Sequence, residues 1–393
     1  MKQYDVIAIG TGSSMNIVSA MLRMKPGIKA AIIDKDEPGG ICLTRGCIPT
    51  KLLAYPAELV RLIQKAKDFG IDADIKKVDF GKVMKRMRDH IEPDINSIKK
   101  GLADSKDLDY YPIAAEFVSP YTLKVGNETI TSQMIFLGIG SKPTIPNIQG
   151  LEEAGYHTSD TILGVQKLPE SIAIIGGGYI AAEYGHFFSA MGSKVTIIGR
   201  NKQFLPQEEP EVSALAVRKM SEHMTIITAH EVLAVEKTKN CKRLVAKDRE
   251  TGKTVDVFAE EILVAVGRSP NTDILHPEKG GIQTDEKGWV KVNEFLETSQ
   301  PNVWAFGDSI GKHMFKHVAN YESMIVFYNA VLKKARPADY HAVPHAVFTE
   351  PEIASVGMRE KEAIEKIGLE NVFIGFQRYE DTAIEYSVSS HPQ

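Results

Sequence analysis

The sequence predicts an α/β fold that contains two copies of one strand–turn–helix–strand unit. The first copy runs from Tyr4 to Asp34 and the second from Ile172 to Ile198, and in each a buried apolar strand leads directly into glycines. An apolar strand that ends in glycines and opens a helix is the pattern of a dinucleotide-binding fold. A chain of 393 residues has room for both units and for a further small domain.

The composition is that of an ordinary globular protein, with 43% hydrophobic and 25% charged residues. The formal net charge is −4 and no block of like charges stands out, so nothing marks a surface for nucleic acid or an acidic membrane. Apolar runs such as Ile172–Ile175 are far shorter than a membrane span, and Met1 to Tyr4 leads into a strand rather than a signal peptide. We therefore expect a cytoplasmic protein that binds neither nucleic acid nor membrane.

The first unit begins with a strand predicted over Tyr4–Ile9. Gly10 and Gly12 follow it and would let the backbone approach a pyrophosphate at the start of the next helix. Met15 stands where the pattern has a third glycine, so the two glycines alone fit a plain strand-to-helix turn equally well. Asp34, at the end of the second strand, is the candidate acid for a ribose.

Two cysteines five positions apart, Cys42 and Cys47, lie in a glycine-rich segment. They can meet only if the backbone bends, and the neighbouring glycines allow that bend. A zinc site would need two more ligands, yet the only other cysteine is Cys241. Because close cysteines in a reducing compartment are more often catalytic than structural, we favour a redox pair over zinc or two unrelated thiols.

The residues after Cys47 predict the start of a helix. Pro49 is tolerated in a first helical turn, so the amphipathic run Lys51–Lys65 is expected to begin just after the cysteines. The positive end of its dipole would favour thiolate over thiol at Cys47, and Lys51 adds a cation nearby. We therefore expect Cys47 to be held as a thiolate.

The second unit has the form G-x-G-x-x-A in Gly176–Ala181, and the strand Lys194–Ile198 follows its helix. A carboxylate after that strand would bind the ribose hydroxyls of NAD, but the chain has Gly199, then Arg200 and Lys202. Cations at this place suit a 2′-phosphate, which predicts NADP. The alternative is that both side chains belong to a solvated loop.

The segment Gly39–Lys51 resembles the active-site stretch of the pyridine nucleotide-disulfide oxidoreductases, flavoproteins that include dihydrolipoamide dehydrogenase, glutathione reductase and mercuric reductase. The run Gly46–Lys51 is most similar to dihydrolipoamide dehydrogenase. The resemblance implies that Cys42 exchanges disulfide with substrate while Cys47 contacts the flavin. It also implies that Lys51 and Glu183 form a functional ion pair.

The same resemblance implies FAD in the first dinucleotide fold and a nicotinamide cofactor, NAD(P), in the second. Asn302–Asp308 matches a second FAD signature, and Gly267–Asn271 matches a turn near the nicotinamide. We expect no metal. The positions expected to contact the two cofactors are Gly10, Gly12, Asp34, Lys35, Gly40, Ile41, Lys51, Ala115, Gly140, Gly176, Gly178, Tyr179, Ile180, Arg200, Lys202, Val232, Gly267, Gly307, Asp308, Lys316 and Ala319.

The expected domains are an FAD-binding domain of residues 1–142 and 264–334, an NAD(P)-binding domain of residues 143–263, and a partial interface domain of residues 335–393. Ile262–Val266 is interpreted as the strand that returns the chain to the flavin domain. Phe348–Gly357 resembles the start of the family's interface domain, which makes the homodimer. We expect the C-terminal end to be short for the family and His391-Pro392 to be a chance dipeptide, so that the family's acid/base histidine is absent.

The reaction that the resemblance implies is reversible transfer of two electrons between a substrate dithiol and NAD(P) through the cysteines and FAD. Dihydrolipoamide on a protein arm, as in a 2-oxoacid dehydrogenase complex, is the first substrate considered. An NADPH-dependent reductase of a small disulfide or of mercuric ion is the alternative, favoured by Arg200 and Lys202. A further alternative is a flavoprotein with little turnover that mainly binds a partner complex, favoured by the missing histidine.

Overall fold

The computed structural model describes residues 1–378 and 381–382 of the chain. Its first domain is built on a parallel five-stranded sheet. In spatial order the strands are Val303–Ala305, Ile135–Leu137, Val6–Ile9, Ala30–Ile33 and Leu108–Tyr111. Side chains alternate between the faces, so that Val6 and Ala8 enter one core while Ile7 and Ile9 enter another. Because both faces of the central strands Ile135–Leu137, Val6–Ile9 and Ala30–Ile33 are buried, these strands read in sequence as continuous apolar runs.

Helices cover one face of this sheet, and a mostly antiparallel sheet covers the other. The helices Ser14–Met24 and Lys316–Val326 pack on the first face. The covering sheet buries Phe117 and Leu123 against the second face. Its strands are Lys2–Gln3, Glu128–Thr131, Thr122–Val125 and Ala115–Ser119. Segments from distant parts of the chain therefore form one domain.

The second domain repeats the plan with another five-stranded parallel sheet. Its strands, in spatial order, are His157–Thr158, Glu261–Val264, Ser171–Ile175, Lys194–Ile198 and Thr225–Ile227. The helices Tyr179–Met191 and Pro210–Met220 pack on one face. On the other lies an antiparallel sheet of His230–Lys237, Lys242–Asp248 and Thr254–Ala259. Two parallel sheets of this kind confirm the predicted α/β class.

One strand lies in a different domain from the one we expected. We expected Ile262–Val266 to return the chain to the first domain, but the strand is Glu261–Val264 and pairs with Ser171–Ile175 inside the second sheet. Its apolar run is uninformative on this point because any central parallel strand is buried on both faces. A boundary between residues 263 and 264 would cut this strand, which belongs as a whole to the second sheet.

Two long helices of the first domain connect it to the second. Cys47–Lys65 and Phe80–Ala103 pack against Tyr179–Met191 in a shared hydrophobic core. Within that core the ring centroids of Phe80 and Phe187 are 6.0 Å apart. The contact brings the start of the first helix close to the second dinucleotide fold.

The outer face of Cys47–Lys65 is apolar and exposed. Its inner face buries Leu53, Ala57 and Val60, whereas the outer side chains Ile48, Tyr55, Leu59 and Leu62 are exposed. This spacing of seven, four and three residues places the outer group on one side of the helix.

The last described elements begin the segment expected to form the interface domain. A hairpin pairs Pro344–Val347 with Ile353–Val356, and the helix Glu360–Ile367 follows. His391 and Pro392 lie outside the described residues. The remaining elements are short: Gly40–Thr44, Ala66–Phe69, Ser141–Pro143, Leu151–Ala154, Ile162–Gly164, Arg268–Pro270, Thr272–Leu275, Pro277–Gly280, Gly307–Ile310, Phe327–Val331 and Leu369–Asn371. None of the helices in the described part of the chain combines the length and apolar character needed to cross a membrane.

Candidate active site

A cleft opens at the carboxyl ends of Val6–Ile9 and Ala30–Ile33. Crevices at this end of a parallel sheet are where dinucleotide folds bind their ligands. Both Cys42 and Cys47 line it. So do many of the predicted cofactor residues, namely Gly10, Gly12, Asp34, Lys35, Gly40, Ile41, Ala115, Gly140, Gly307, Asp308, Lys316 and Ala319. The structure thus brings residues from five separate stretches of sequence into one site.

Bare backbone forms one wall of the cleft. Gly10 has φ of +103°, and a Cβ there would lie 2.0 Å from the carbonyl oxygen of Gly138. Gly40 has φ of +73°, and its Cβ would lie 2.7 Å from Gly12 Cα. No other residue fits either position without moving the backbone. Met15, which replaces the third glycine of the pattern, packs against the core instead of entering the cleft.

Asp34 is held in place at the end of its strand. Its Oδ2 accepts hydrogen bonds from the backbone N–H of Thr11 at 2.7 Å and from the Thr11 hydroxyl at 2.5 Å. Its Oδ1 accepts from the backbone N–H of Asp36 at 3.0 Å. The carboxylate faces the cleft in a fixed position, as a ribose-binding acid requires. We did not predict Thr11, whose only sequence signal is its place between Gly10 and Gly12.

The two cysteines lie at a junction of two helices. Cys42 is part of the short helix Gly40–Thr44, and Cys47 is the first residue of Cys47–Lys65. We had expected the long helix to begin after the two cysteines. It begins instead at Cys47 itself. Gly46 serves as its N-cap, which lets the first turn include the cysteine. Cys47 consequently lies at the positive end of the helix dipole.

The two thiols differ in acidity. Both cysteines are free, and a hydrogen bond joins their side chains. That bond, the Lys51 ammonium and a backbone N–H lower the pKa of Cys47 to about 7, against the opposing effect of burial. The same hydrogen bond, together with burial, raises the pKa of Cys42. At neutral pH, Cys47 is therefore a thiolate in about half of the molecules, while Cys42 remains a thiol.

Arg45, between the cysteines, ties their loop to two other segments. Its Nη2 lies 2.6 Å from Asp36 Oδ2, and its Nε lies 3.1 Å from Asp160 Oδ2. The Arg45 side chain is only one-fifth exposed. We did not predict this residue, because its partners are distant in sequence and no local pattern marks them.

Lys51 and Glu183 form the ion pair that the sequence predicts. Lys51 Nζ lies 2.7 Å from Glu183 Oε1 and 2.9 Å from Oε2. The backbone N–H of Phe348 donates to the same Oε1 at 3.2 Å. The Phe348 ring also lies beneath the ammonium, 4.0 Å from Nζ to its centroid. Phe348 lies in the loop between the two strands of the C-terminal hairpin, so this loop contacts both members of the ion pair.

Asp308 takes part in a polar network at another part of the cleft. Ser141 Oγ donates to Asp308 Oδ2 at 2.5 Å, and Arg268 Nε donates to Ser141 Oγ at 2.6 Å. Nearby, Asn271 Nδ2 donates to the Ile139 carbonyl at 2.8 Å. Asn271 Oδ1 is buried and has no hydrogen-bond partner within the described residues. A buried acceptor without a donor at the wall of a cleft indicates that a ligand supplies the donor.

The second glycine loop has the same construction as the first. Gly176 has φ of +140°, and a Cβ there would lie 2.1 Å from the Ala265 carbonyl oxygen. Gly178 is the N-cap of Tyr179–Met191. Gly176, Gly178, Tyr179 and Ile180 therefore surround the start of a helix at the carboxyl end of Ser171–Ile175, where backbone N–H groups favour an anion.

The turn after Lys194–Ile198 is basic, and a residue we did not predict contributes to it. Arg200 is exposed, and its carbonyl accepts a hydrogen bond from Arg249 Nη1 at 3.1 Å. Lys202 instead pairs with Glu250 at 3.1 Å. Arg200 and Arg249 are thus the better candidates for an anionic group here, because part of the Lys202 charge is already neutralised.

Val232 and Gly267, both predicted to contact a cofactor, belong to neither of the two glycine loops. Val232 is buried in the hydrophobic core of the second domain. Gly267 has φ of +130°, and its carbonyl accepts the N–H of Thr144 where the chain crosses between domains. Neither is among the residues that line the first cleft.

A family model described as pyridine nucleotide-disulphide oxidoreductase matches residues 4–323. The chain belongs to this family. A mycothione reductase from Mycobacterium tuberculosis is 34% identical over 99% of this chain and 84% of its own length. A dihydrolipoyl dehydrogenase from Thermus scotoductus is 32% identical over 92% and 78%, and mercuric reductases are also relatives. The solved Cu(II) complex of the HOCl-induced flavoprotein disulfide reductase RclA from Escherichia coli superposes with a TM-score of 0.82, 29% identity and coverage of 93% and 80%.

Pyridine nucleotide-disulphide oxidoreductases use FAD and NAD(P)H, and this chain is a flavoprotein oxidoreductase of that kind. The first cleft fits FAD, since it combines the glycine wall, a fixed acid at Asp34 and the buried acceptor of Asn271. Members of the family are generally homodimers and act on small dithiols or disulfides. Within residues 1–378 and 381–382, no cluster of His, Cys, Asp and Glu has the make-up of a metal site.

Proposed function

We propose that this oxidoreductase uses NADPH to reduce a small disulfide through Cys42 and Cys47. The observation that carries the proposal is a pair of hydrogen-bonded thiols of unequal acidity in the FAD cleft, with the Lys51 ammonium acting on the more acidic one. Such a pair can exchange with a disulfide at neutral pH because one member is already a thiolate.

FAD, when bound, supplies the relay of two electrons between the nicotinamide and the cysteines. The Cys47 thiolate accepts the proton of Cys42 through the hydrogen bond that joins them. The Cys42 thiolate attacks one sulfur of the substrate and breaks the substrate disulfide, and the leaving thiolate takes the proton from Cys47 and departs as the first thiol. The Cys47 thiolate then attacks Cys42 Sγ, which displaces the second thiolate and leaves the Cys42–Cys47 disulfide. The second thiolate takes its proton from water. The substrate gains the two electrons that the cysteine pair loses.

Two further features support NADPH as the electron donor. No carboxylate follows Lys194–Ile198, where one would bind the ribose of NAD. Arg200 and Arg249 stand at that turn instead, and guanidinium groups bind phosphate in a bidentate manner. The net reaction consumes one NADPH, one proton and one disulfide, and yields NADP and two thiols.

Dihydrolipoamide oxidation is the second candidate. The run Gly46–Lys51 favours it, since it is most similar to dihydrolipoamide dehydrogenase. In that case the same cysteine steps run in reverse, with a lipoyl-bearing protein as donor. Mercuric ion as the electron acceptor, and a role confined to binding a partner complex, are further outcomes that the same assay separates.

We assign FAD to residues 1–142 together with the segment from after Val264 to residue 334. NAD(P) is assigned to the residues between them, and the interface domain is assigned from residue 335 onward. The small number of cysteines and their proposed use favour a reducing compartment such as the cytoplasm.

Anaerobic turnover of the FAD-loaded protein tests the proposal. Glutathione disulfide, lipoamide and mercuric ion are each supplied with NADPH or with NADH, and dihydrolipoamide is supplied with NAD. Cys42→Ser is the control, because it keeps the cleft but removes the exchanging thiol. We expect the wild-type protein to oxidise NADPH when a disulfide is supplied, and Cys42→Ser not to do so. Faster dihydrolipoamide oxidation with NAD would favour the second candidate, and equal rates in wild type and Cys42→Ser with every substrate would contradict both.

A further inference from the structure

Glu322 is a fully buried carboxyl group that lies behind the FAD cleft. It belongs to the helix Lys316–Val326 and is 0% exposed. One oxygen, Oε2, accepts a hydrogen bond from the backbone N–H of Gly307 at 2.5 Å. The other, Oε1, accepts from the Tyr340 hydroxyl at 2.6 Å. No salt bridge to Glu322 exists among the described residues, although burying an unpaired carboxyl is costly.

The first hydrogen bond fixes the backbone that carries Asp308. Gly307 has φ of +65°, and a Cβ there would lie 3.0 Å from Ala319 Cβ, so the loop rests directly on the helix. Gly307, Asp308 and Ala319 all line the FAD cleft. Glu322 thus binds the residue next to Asp308, and Asp308 lines the cleft whereas Glu322 does not.

The second hydrogen bond reaches the connection between the FAD domain and the C-terminal hairpin. Tyr340 lies in that connection, and the loop after Asp308 encloses its ring. Lys312 Nζ lies 3.6 Å from the ring centroid, and the His313 ring is 5.2 Å away. Glu322 and these two residues therefore hold Tyr340 from two sides.

We propose that Glu322 is a positioning residue for FAD, which holds the Gly307–Asp308 loop through the Gly307 N–H and joins that loop to the hairpin connection through Tyr340. The inference rests on FAD binding in the first cleft. It differs from the proposed substrate chemistry, so failure of either leaves the other standing. Burial raises the pKa of Glu322 to about 7, which agrees with a carboxyl retained for its contacts rather than for stability.

Three variants separate a positioning role from general destabilisation. Glu322→Gln keeps an oxygen for the Gly307 N–H and can donate its amide to Tyr340, whereas Glu322→Leu leaves both partners without an acceptor. Glu208→Leu is the matched control. Glu208 is 3% exposed and accepts from His345 at 2.7 Å and Ser355 at 2.6 Å, but it lies outside the FAD cleft.

Titration of each apoprotein with FAD, followed by flavin fluorescence, gives the dissociation constant without reference to turnover. We expect Glu322→Leu to bind FAD about 10-fold or more weakly, Glu322→Gln to stay within about 3-fold, and Glu208→Leu to match the wild type. Unchanged FAD affinity in Glu322→Leu, an equal loss in Glu208→Leu, or an equal loss in Glu322→Gln would each overturn the proposal. If Glu322→Leu does not fold, Tyr340→Phe decides: a loss of about 5-fold or more supports the proposal, and a change within about 3-fold overturns it.

Discussion

Lys51 Nζ lies within 2.9 Å of both carboxylate oxygens of Glu183, a residue 132 positions further along the chain. The contact joins the helix that begins with Cys47 to the helix of the second dinucleotide fold. Both groups act on Cys47, in opposite directions: the ammonium lowers the pKa of this thiol and the carboxylate raises it. The fraction of thiolate at neutral pH depends first on the hydrogen bond from Cys42, and the ion pair modifies it.

Opposite pKa shifts are the first expected consequence. Lys51→Met should raise the pKa of Cys47 above its wild-type value of about 7, and Glu183→Gln should lower it. The rate of iodoacetamide alkylation of Cys47 in the reduced apoprotein, measured against pH by mass spectrometry, reports this value. Lys65→Met is the control, because Lys65 lies on the same helix but pairs with Glu350. Shifts in the same direction for both variants would contradict the assignment.

The two cysteines should give different spectra when FAD is bound. A thiolate against the oxidised flavin gives a long-wavelength charge-transfer band, and Cys47 is the thiolate of the pair. Cys47→Ser should abolish the band in the partly reduced protein, whereas Cys42→Ser should keep or strengthen it. If Cys42→Ser abolishes the band and Cys47→Ser keeps it, Cys42 rather than Cys47 is the residue that contacts the flavin.

Loss of the Asp308 carboxylate should weaken FAD binding. Asp308→Ala removes the acceptor of the Ser141 hydroxyl and leaves Arg268 without a nearby anion. We expect the dissociation constant for FAD to rise by about 10-fold or more, as for other lost hydrogen bonds to charged groups. Asp273→Ala is the comparison, since Asp273 is an exposed carboxylate that pairs with Lys142. Equal affinity in both variants would show that Asp308 does not serve the cofactor.

Cofactor preference should depend on two arginines. Arg200→Glu and Arg249→Glu should each raise the half-saturating concentration of NADPH by about 10-fold while changing that of NADH much less. The measurement is the rate of flavin reduction against cofactor concentration. Arg243 lies on the strand Lys242–Asp248, which leads into the turn that contains Arg249, but it is paired with Glu236 and Asp256. Arg243→Glu should therefore alter neither value. If Arg200→Glu leaves the preference unchanged, Arg200 is a solvated side chain.

Stability should respond to pH through Glu322. The pKa of this carboxyl is raised from 4.5 to about 7 in the folded protein, mainly by burial and by the nearby Asp308, against hydrogen bonds from Tyr340 and Gly307 and the charge of Lys312. The folded state therefore binds the proton more tightly, so the contribution is full below pH 4.5 and is lost as the pH rises through 7. Relative to Glu322→Gln, the wild-type apoprotein should lose on the order of 3 kcal/mol of unfolding free energy over this range, measured by urea unfolding. If the difference in unfolding free energy between the wild type and Glu322→Gln does not change with pH, Glu322 does not titrate in this range.

Local patterns were sufficient to predict the repeated fold. A buried strand, two glycines and an amphipathic helix are adjacent in sequence, so both dinucleotide folds could be identified before any contact was known. The same holds for the cysteine segment. The start of the helix could not be placed to the residue from sequence. Pro49 is compatible with any position in the first turn, and only the structure shows that Gly46 is the N-cap and Cys47 the first helical residue.

Contacts between distant segments could not be predicted in this way. Arg45 meets Asp160, Lys51 meets Phe348, and Glu322 meets Tyr340 only after the domains have packed. A buried strand such as Glu261–Val264 likewise has the same apolar sequence in either sheet. These are properties of tertiary arrangement, and a single sequence gives no periodic signal for them.

The helix Cys47–Lys65 is about 28 Å long and has Pro56 in its interior. The reactive sulfur lies at one end, and the exposed row Ile48, Tyr55, Leu59 and Leu62 lies along its length. A tilt of about 2° about the far tip would displace Cys47 by about 1 Å, enough to change its distance from a flavin. A contact on that exposed row that tilts the helix would therefore change the position of the Cys47 sulfur. A substitution at Leu62 can alter the chemistry of a sulfur four helical turns away without touching it.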